Sequence, residues 1–276
     1  DIVGAKVSSI IDLVSVVNCE GMSSNKIAYV DEDIDAADEQ TEGEEGTEHE
    51  PTFKSVTITP TSALVMSYIS KQVRKQSPLQ YEAKVRAQSM IALRKKAAMV
   101  VTAGLKASEL VDTVNGKTDT AKKGVIDATT LRTIALAYGG DESVVGGAVL
   151  FLNKKDLMAF GDVRGTNEKK PIYEITPDSG NPNTGVIKDG GLSVRYCINS
   201  NMAAFNGTAQ TAAPQKTMFY GVPSCIELDL FSAYEIAVSE DFKFSKAMDS
   251  IRGDVELGSA VTVKGGFVAL TIPANG

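Results

Sequence analysis

The chain has 276 residues, 43% of them hydrophobic, no tryptophan and a formal net charge of −7. That length and content allow a buried core of one large domain or two modest ones, built mostly from aliphatic side chains. The apolar run Ala148 to Leu152 is far too short to cross a bilayer, so a membrane partner is not expected.

The chain opens with DIVGAKVSSIIDLVSVVNCEG. This segment has no basic patch leading into an apolar run and no small-residue cleavage site, so no signal peptide is expected. Residues 1 to 20 read as an extended arm with a short helix at Ile10 to Val17. Lys26 to Val30 reads as a strand. Residues 31 to 50, DEDIDAADEQTEGEEGTEHE, then bring eleven carboxylates, no lysine or arginine, and the single histidine, His49. The 35 acids of the chain less these eleven leave 24 against 28 bases, so the acidity is local. Thr52 to Thr59, TFKSVTIT, is β-branched and alternating, a second strand. The two strands form an arm that reaches on the order of 50 Å at about 3.3 Å per residue. Loops this long inside a compact domain are generally functional.

Ser77-Pro78 supplies a helix start, with Pro in the first turn. From there Leu79, Ala83, Ala87, Met90, Ala97 and Val101 share one side of a helical wheel, interrupted by Arg94. Gly104 is the expected stop, which gives a helix over about 79–103 and a rod of roughly 37 Å. Residues 71 to 96 hold eight bases against one acid, Glu82. A polar connection follows, then a short helix (Ala128 to Tyr138), a buried strand (Ala148 to Leu152) and a helix (Asn153 to Phe160). Residues 161 to 191, rich in Gly, Pro, Asn and Asp, read as loops. Gly191 to Ile198, Met218 to Leu230, Ala233 to Phe244 and Ser259 to Ile272 read as strands, with the charged stretch Ser245 to Leu257 between the last two. No repeat of 20 to 50 residues occurs.

Sites of chemistry are hard to find. His49 has no Ser or Cys partner and no second imidazole, which weighs against a triad or a histidine metal site. Asp31, Asp33 and Asp35 begin an EF-hand spacing, but Ala36 stands where the loop needs glycine. Asn115-Gly116-Lys117-Thr118 imitates the end of a phosphate loop, yet Val111 replaces its leading glycine. Asn206-Gly207-Thr208 matches a glycosylation pattern, and four Gly-Gly pairs read as turns or bulges. Cys19, Cys197 and Cys225 are odd in number and widely spaced, which suits a reducing compartment over a disulfide framework. No catalytic, metal-binding or cofactor-binding residues are expected, and the chain does not read as an enzyme.

The order of elements carries a resemblance. SSNKIAYV, the acidic insert, TFKSVTITPTSALVMSYISKQVRKQSP and the long helix resemble the major capsid proteins of tailed bacteriophages, which share the HK97-like fold. GAVLFLNKKDLMAFGDVRG resembles the family's strand and following helix, MFYGVPSCIELDL its "G-x-P-V" strand, and YEIAVSEDFKFSKAMDSIRGDVELGSAVTVKGGFVALTIP its closing strands. The resemblance covers nearly the whole chain and implies an α+β fold of stated parts. Residues 1–24 would form the N-arm and 25–58 the extended β-hairpin E-loop. Residues 59–125 with 233–276 would form the peripheral (P) domain, including the spine helix, and 126–232 the axial (A) domain.

The implied function is a structural subunit of an icosahedral head, self-assembling into hexamers and pentamers around double-stranded DNA. The implied partners are other copies, packaged DNA bound without sequence preference, a portal and decoration proteins. The implied location is the virion, after assembly in the host bacterial cytoplasm. An encapsulin-type nanocompartment shell is the alternative with the same fold, and a cytoplasmic hydrolase the alternative from another class. Removal of an N-terminal segment by a phage protease, known in the family, would suit a sequence starting at Asp1. Cross-linking from an E-loop lysine is not expected at the tip, because 31–50 contains none; Lys26 and Lys54 lie nearer the base.

For the acids Asp31, Glu32, Asp33, Asp35, Asp38, Glu39, Glu42, Glu44, Glu45, Glu48 and Glu50, the resemblance suggests an inter-subunit contact. Their counter-surface would be basic: Lys71, Arg74, Lys75, Lys84, Arg86, Arg94, Lys95 and Lys96. An exposed ion pair contributes only about 0–1 kcal/mol, but a lattice repeats it in every copy. Two other readings stay open: a merely solvated tip, and basic residues turned inward to DNA phosphates.

Overall fold

The computed structural model describes residues 10–32, 49–72, 81–140, 146–165 and 169–275, without the side chains of residues 81, 82, 242 and 244. Its frame is two sheets and one long helix. In the first sheet, β13 (Met248–Val261) is the spine. One edge of β13 pairs antiparallel with β4 (Thr61–Ser70), the other with β12 (Glu235–Lys243) and then β11 (Ile226–Leu230). Strand β1 (Ser15–Asn18) adds parallel to β11. The second sheet runs β5 (Asp112–Asn115), β14 (Phe267–Ile272), β10 (Gln215–Gly221), β6 (Val149–Leu152), β9 (Leu192–Ile198), β8 (Asn181–Asp189), β7 (Glu174–Asp178). Strands β2 (Asn25–Glu32) and β3 (Thr52–Ile58) pair only with each other.

Helix α1 spans Tyr81–Ala107 and packs against β13 and β4. It runs past Gly104 rather than stopping there. A Cβ on Gly104 would lie 2.7 Å from the Ser259 carbonyl oxygen, so this glycine serves close packing, not termination. The buried side also differs from the expected stripe. Ser89, Leu93, Ala97, Ala98, Val101, Thr102 and Leu105 are buried, whereas Ala83 and Met90 are exposed and Ala87 is half-buried. The sheet is met from Ser89 onward, on a side that runs through Ser89, Leu93, Ala97 and Val101 and leaves Ala83 and Met90 exposed.

Two apolar cores share the second sheet. Val149 and Phe151 face α1 and the first sheet, while Leu150 and Leu152 face α2 (Thr130–Ala135) and α3 (Lys154–Asp162). Alternate residues of β6 thus bury on opposite faces, and all four are buried. Asn153 caps α3 by accepting a hydrogen bond from Lys155 N.

Several expectations are corrected. Ile10–Leu13 is a turn, and the strand β1 follows where a helix was expected. The loop-like composition of 161–191 includes the hairpin β7–β8; β7 is the sheet's edge, where Pro177 costs no ladder bond. The charged stretch 245–257 enters β13, because Arg252 and Glu256 point outward while Ile251, Val255 and Leu257 point inward. Residues 218–230 are two strands, broken at Pro223–Cys225, that join different sheets. Strand β11 lies in the first sheet, and β5 and β14 lie in the second. All three cysteines are buried. No helix among the described residues is long and apolar enough to cross a membrane.

Candidate assembly surfaces

The β2–β3 hairpin has two unlike faces, because cross-strand partners share a side. Ile27 faces Val56, and both pack on the first sheet with Ile58, Cys19 and Phe231. Further out, Asp31 binds two amines: Lys54 Nζ lies 2.5 Å from Oδ2 and Lys264 Nζ 3.2 Å from Oδ1. Lys264 also donates to the Asp31 carbonyl oxygen at 2.6 Å. The bonds from Lys54 and then Lys264 hold the Asp31 carboxyl below the usual carboxylate range. The turn between β13 and β14 therefore tethers the hairpin midway along.

At the hairpin root, Asn25 Nδ2 donates to Glu227 Oε1 at 3.2 Å and to Asp229 Oδ2 at 3.0 Å. The other face of the hairpin points away from the body. There Val30 and Phe53 are cross-strand partners, 38% and 64% exposed. Glu32, on the same side, accepts a hydrogen bond from Thr52 Oγ1 at 3.5 Å.

Of the acids singled out by sequence, Asp31, Glu32 and Glu50 are described; Asp33, Asp35, Asp38, Glu39, Glu42, Glu44, Glu45 and Glu48 lie outside the described residues. So do Arg74 and Lys75. The remaining bases do not gather on one face. At about 100° per residue, Lys84 and Lys95 fall together, while Arg86, Arg94 and Lys96 each point elsewhere. Arg94 donates to Asp12 at 3.0 Å. Lys71 lies 3.4 Å from Glu240 and 3.8 Å from Asp249. Lys95 borders a cavity of about 310 Å³ between α1 and residues 198–201.

A second surface escaped the sequence reading. Leu64, Met66 and Tyr68 project from the outer face of β4 and are 60%, 42% and 41% exposed. Lys243 Nζ sits 3.6 Å from the Tyr68 ring centroid, and Arg252 stands opposite Met66. The result is an apolar row bordered by charges of both signs, with Arg252 bound to Asp254, the residue opposite Leu64, at 3.0 Å. Its signal was hidden because TSALVMSYIS is apolar at both parities; Ala63 and Ile69, on the other side, are buried.

Other buried acids hold the fold. Asp156 is fully buried and accepts from Phe205 N at 2.9 Å and Asn206 N at 2.8 Å. Burial outweighs those bonds and raises its pKa to about 6. Arg132 grips the buried Asp189 with Nε at 2.6 Å and Nη2 at 3.0 Å. Among the described residues no three His, Cys, Asp or Glu side chains gather as metal ligands.

Comparison with known proteins agrees with this arrangement of sheets, helix and projecting hairpin. The model of the phage capsid family matches residues 4–272. No curated protein matches the sequence. The capsid of an empty GTA particle is similar in structure with a TM-score of 0.71 at 14% identity, over 97% of this chain and 90% of that one. A structure from Mycobacterium phage Bobi gives 0.65 at 12% identity, over 100% and 94%. One from Mycobacterium phage Adephagia gives 0.62 at 13% identity, over 95% and 89%. At such identities these likenesses show the shared fold.

Proposed function

Since this chain belongs to the phage capsid family and is a structural subunit of a phage head, we propose how its copies join and what they enclose. The family match favours this reading over an encapsulin-type shell. Copies assemble into a capsid lattice in the virion shell; the finer reading is hexamers and pentamers closing around double-stranded DNA, with a portal and decoration proteins as further partners and assembly in the host cytoplasm. Residues 1–24 act as an arm and 25–58 as the E-loop. Residues 59–125 with 233–276 form the peripheral domain and 126–232 the axial domain, with β11 and β14 exchanged between their sheets.

The observation that carries the joining reading is the two-faced hairpin. Its inner face is already used within the subunit, while Val30 and Phe53 project outward beside an acidic tip. In a lattice that outer face lies over a neighbouring peripheral domain, and the acids of 31–50 face bases on the neighbour. Lys71, Arg74, Lys75, Lys84 and Arg86 remain candidates, and Lys243, beside the Tyr68 ring at the edge of the β4 row, adds to them. Like charge on neighbouring tips opposes tip-to-tip pairing.

Negative-stain images of the purified protein test the head: closed shells are expected, and a lone compact particle at every concentration and ionic strength would overturn it. Replacing Glu42, Glu44, Glu45 and Glu48 with Gln tests the charge contact. Assembly yield should fall and lose part of its salt dependence; unchanged yield and salt response would remove the electrostatic role.

A further inference from the structure

Glu227 and Asp229 stand two residues apart on β11 and so project from the same side of the first sheet. The hairpin root covers that side, where Ile27, Val56 and Ile58 meet Val17, Cys19 and Ala260. Asp229 is fully buried, and its Oδ1 has no hydrogen-bond partner. Its other oxygen shares the Asn25 amide with Glu227.

Among the described residues, the neighbours of the pair supply no counter-charge. Strand β1 sets Ser15 and Val17 beside Glu227 and Asp229, and β13 sets Ala260 and Gly258 on the other side. From above come Asn25 and the Cys19 thiol, which burial and both carboxylates keep protonated. Lys26 lies on the exposed side of the hairpin. One amide cannot balance two anions where Asp229 is fully buried and Glu227 half-buried, so Glu227 retains its proton. Burial, followed by the hydrogen bond and charge of Asp229, pushes Glu227 to about 7, although Asn25 pulls the other way.

We propose that the Glu227 carboxyl, protonated beside the buried Asp229, forms a pH-sensitive latch for the root of the β2–β3 hairpin. With the proton in place, the root stays seated on β11. When the proton leaves to water, two anions face one amide and the root lifts. The latch is a property of a single subunit and goes beyond the lattice contacts proposed above.

The sign follows from linkage. A carboxyl raised above its ordinary value of about 4.3 holds its proton more tightly when seated than when lifted. The seat is firmest at low pH, weakens as pH rises from about 4, and levels off above the raised value. Between pH 6 and 8 this amounts to about tenfold more opening.

Hydrogen exchange on the full chain, corrected for the intrinsic effect of pH, tests the latch. Peptides covering 25–30 and 54–58 should lose about tenfold protection between pH 6 and 8. Glu227→Gln, which keeps the shape without the charge, should remove that change; Asp229→Asn carries the same test if the first variant does not fold. Constant protection in the natural chain would overturn the latch. So would the same tenfold change in both variants, or equal loss across β13 and β14, which would mean global opening. The readout needs no lattice, so its failure is distinct from a failure to assemble.

Discussion

Gly104 of α1 meets the Ser259 carbonyl of β13 so closely that a Cβ would lie 2.7 Å from that oxygen. The helix can therefore lie directly on strand backbone. Gly104→Ala should destabilise the protein by up to about 2 kcal/mol, the overpacking cost of about 1–3 kcal/mol less the helix-propensity gain of about 1 kcal/mol. Urea denaturation checks this. A stabilised variant would mean that helix and strand separate without cost.

Asp156 staples the turn at Phe205–Asn206 to α3. Asp156→Ala leaves the buried Phe205 N–H and the part-buried Asn206 N–H without their acceptor and should cost about 1–3 kcal/mol. Asp156→Asn keeps Oδ1 and should be much milder. Because burial raises the Asp156 pKa to about 6, its contribution to stability is complete below about 4 and declines as pH rises to about 6. Denaturation midpoints across that range should show a smaller decline in Asp156→Asn than in the natural chain.

The Asp31–Lys264 tether has the opposite sign. Its carboxyl is held low by the two lysines, so its contribution is present above the ordinary carboxylate pKa and is lost as pH falls through the lowered one. Lys264→Ala should speed hydrogen exchange in residues 29–32 about two- to fivefold at pH 6. The difference should shrink in 1 M salt. With the latch at the root, the hairpin should be held best at mildly acidic pH, and an exchange profile that changes in one direction only would contradict this.

Val30 and Phe53 lie on the outward face of the hairpin. Replacing both with Ser should leave subunit stability within about 0.5 kcal/mol, as is usual for exposed positions. Assembly should still fall, as read by light scattering at constant protein concentration. Normal assembly with unchanged stability would show that the pair touches no neighbour.

Local patterns showed the long helix, the hairpin strands and the buried strand at 149–152 in the sequence, and the order of motifs pointed to the family. What stayed hidden depended on partners distant in the chain. The strand at 248–261 carries charges at alternate positions, and only its pairing with β4, β11 and β12 makes that alternation a two-sided strand. Pro223 separates two strands that look continuous but join different sheets. Glu227 and Asp229 read as ordinary polar residues of an alternating strand until the hairpin root is laid over them. The bases of the long helix spread around its axis, an angle that residue composition does not convey.

Strand β14 enters the second sheet between β5 and β10, although it is made long after both. During synthesis that sheet keeps a vacant slot until residues 267–272 emerge from the ribosome. Two unpaired edges remain open to neighbouring nascent chains in the meantime, which is the hazard of slow, non-local pairing. A capsid is built from many simultaneously translated copies, so the speed of filling that slot would govern how much newly made protein escapes aggregation.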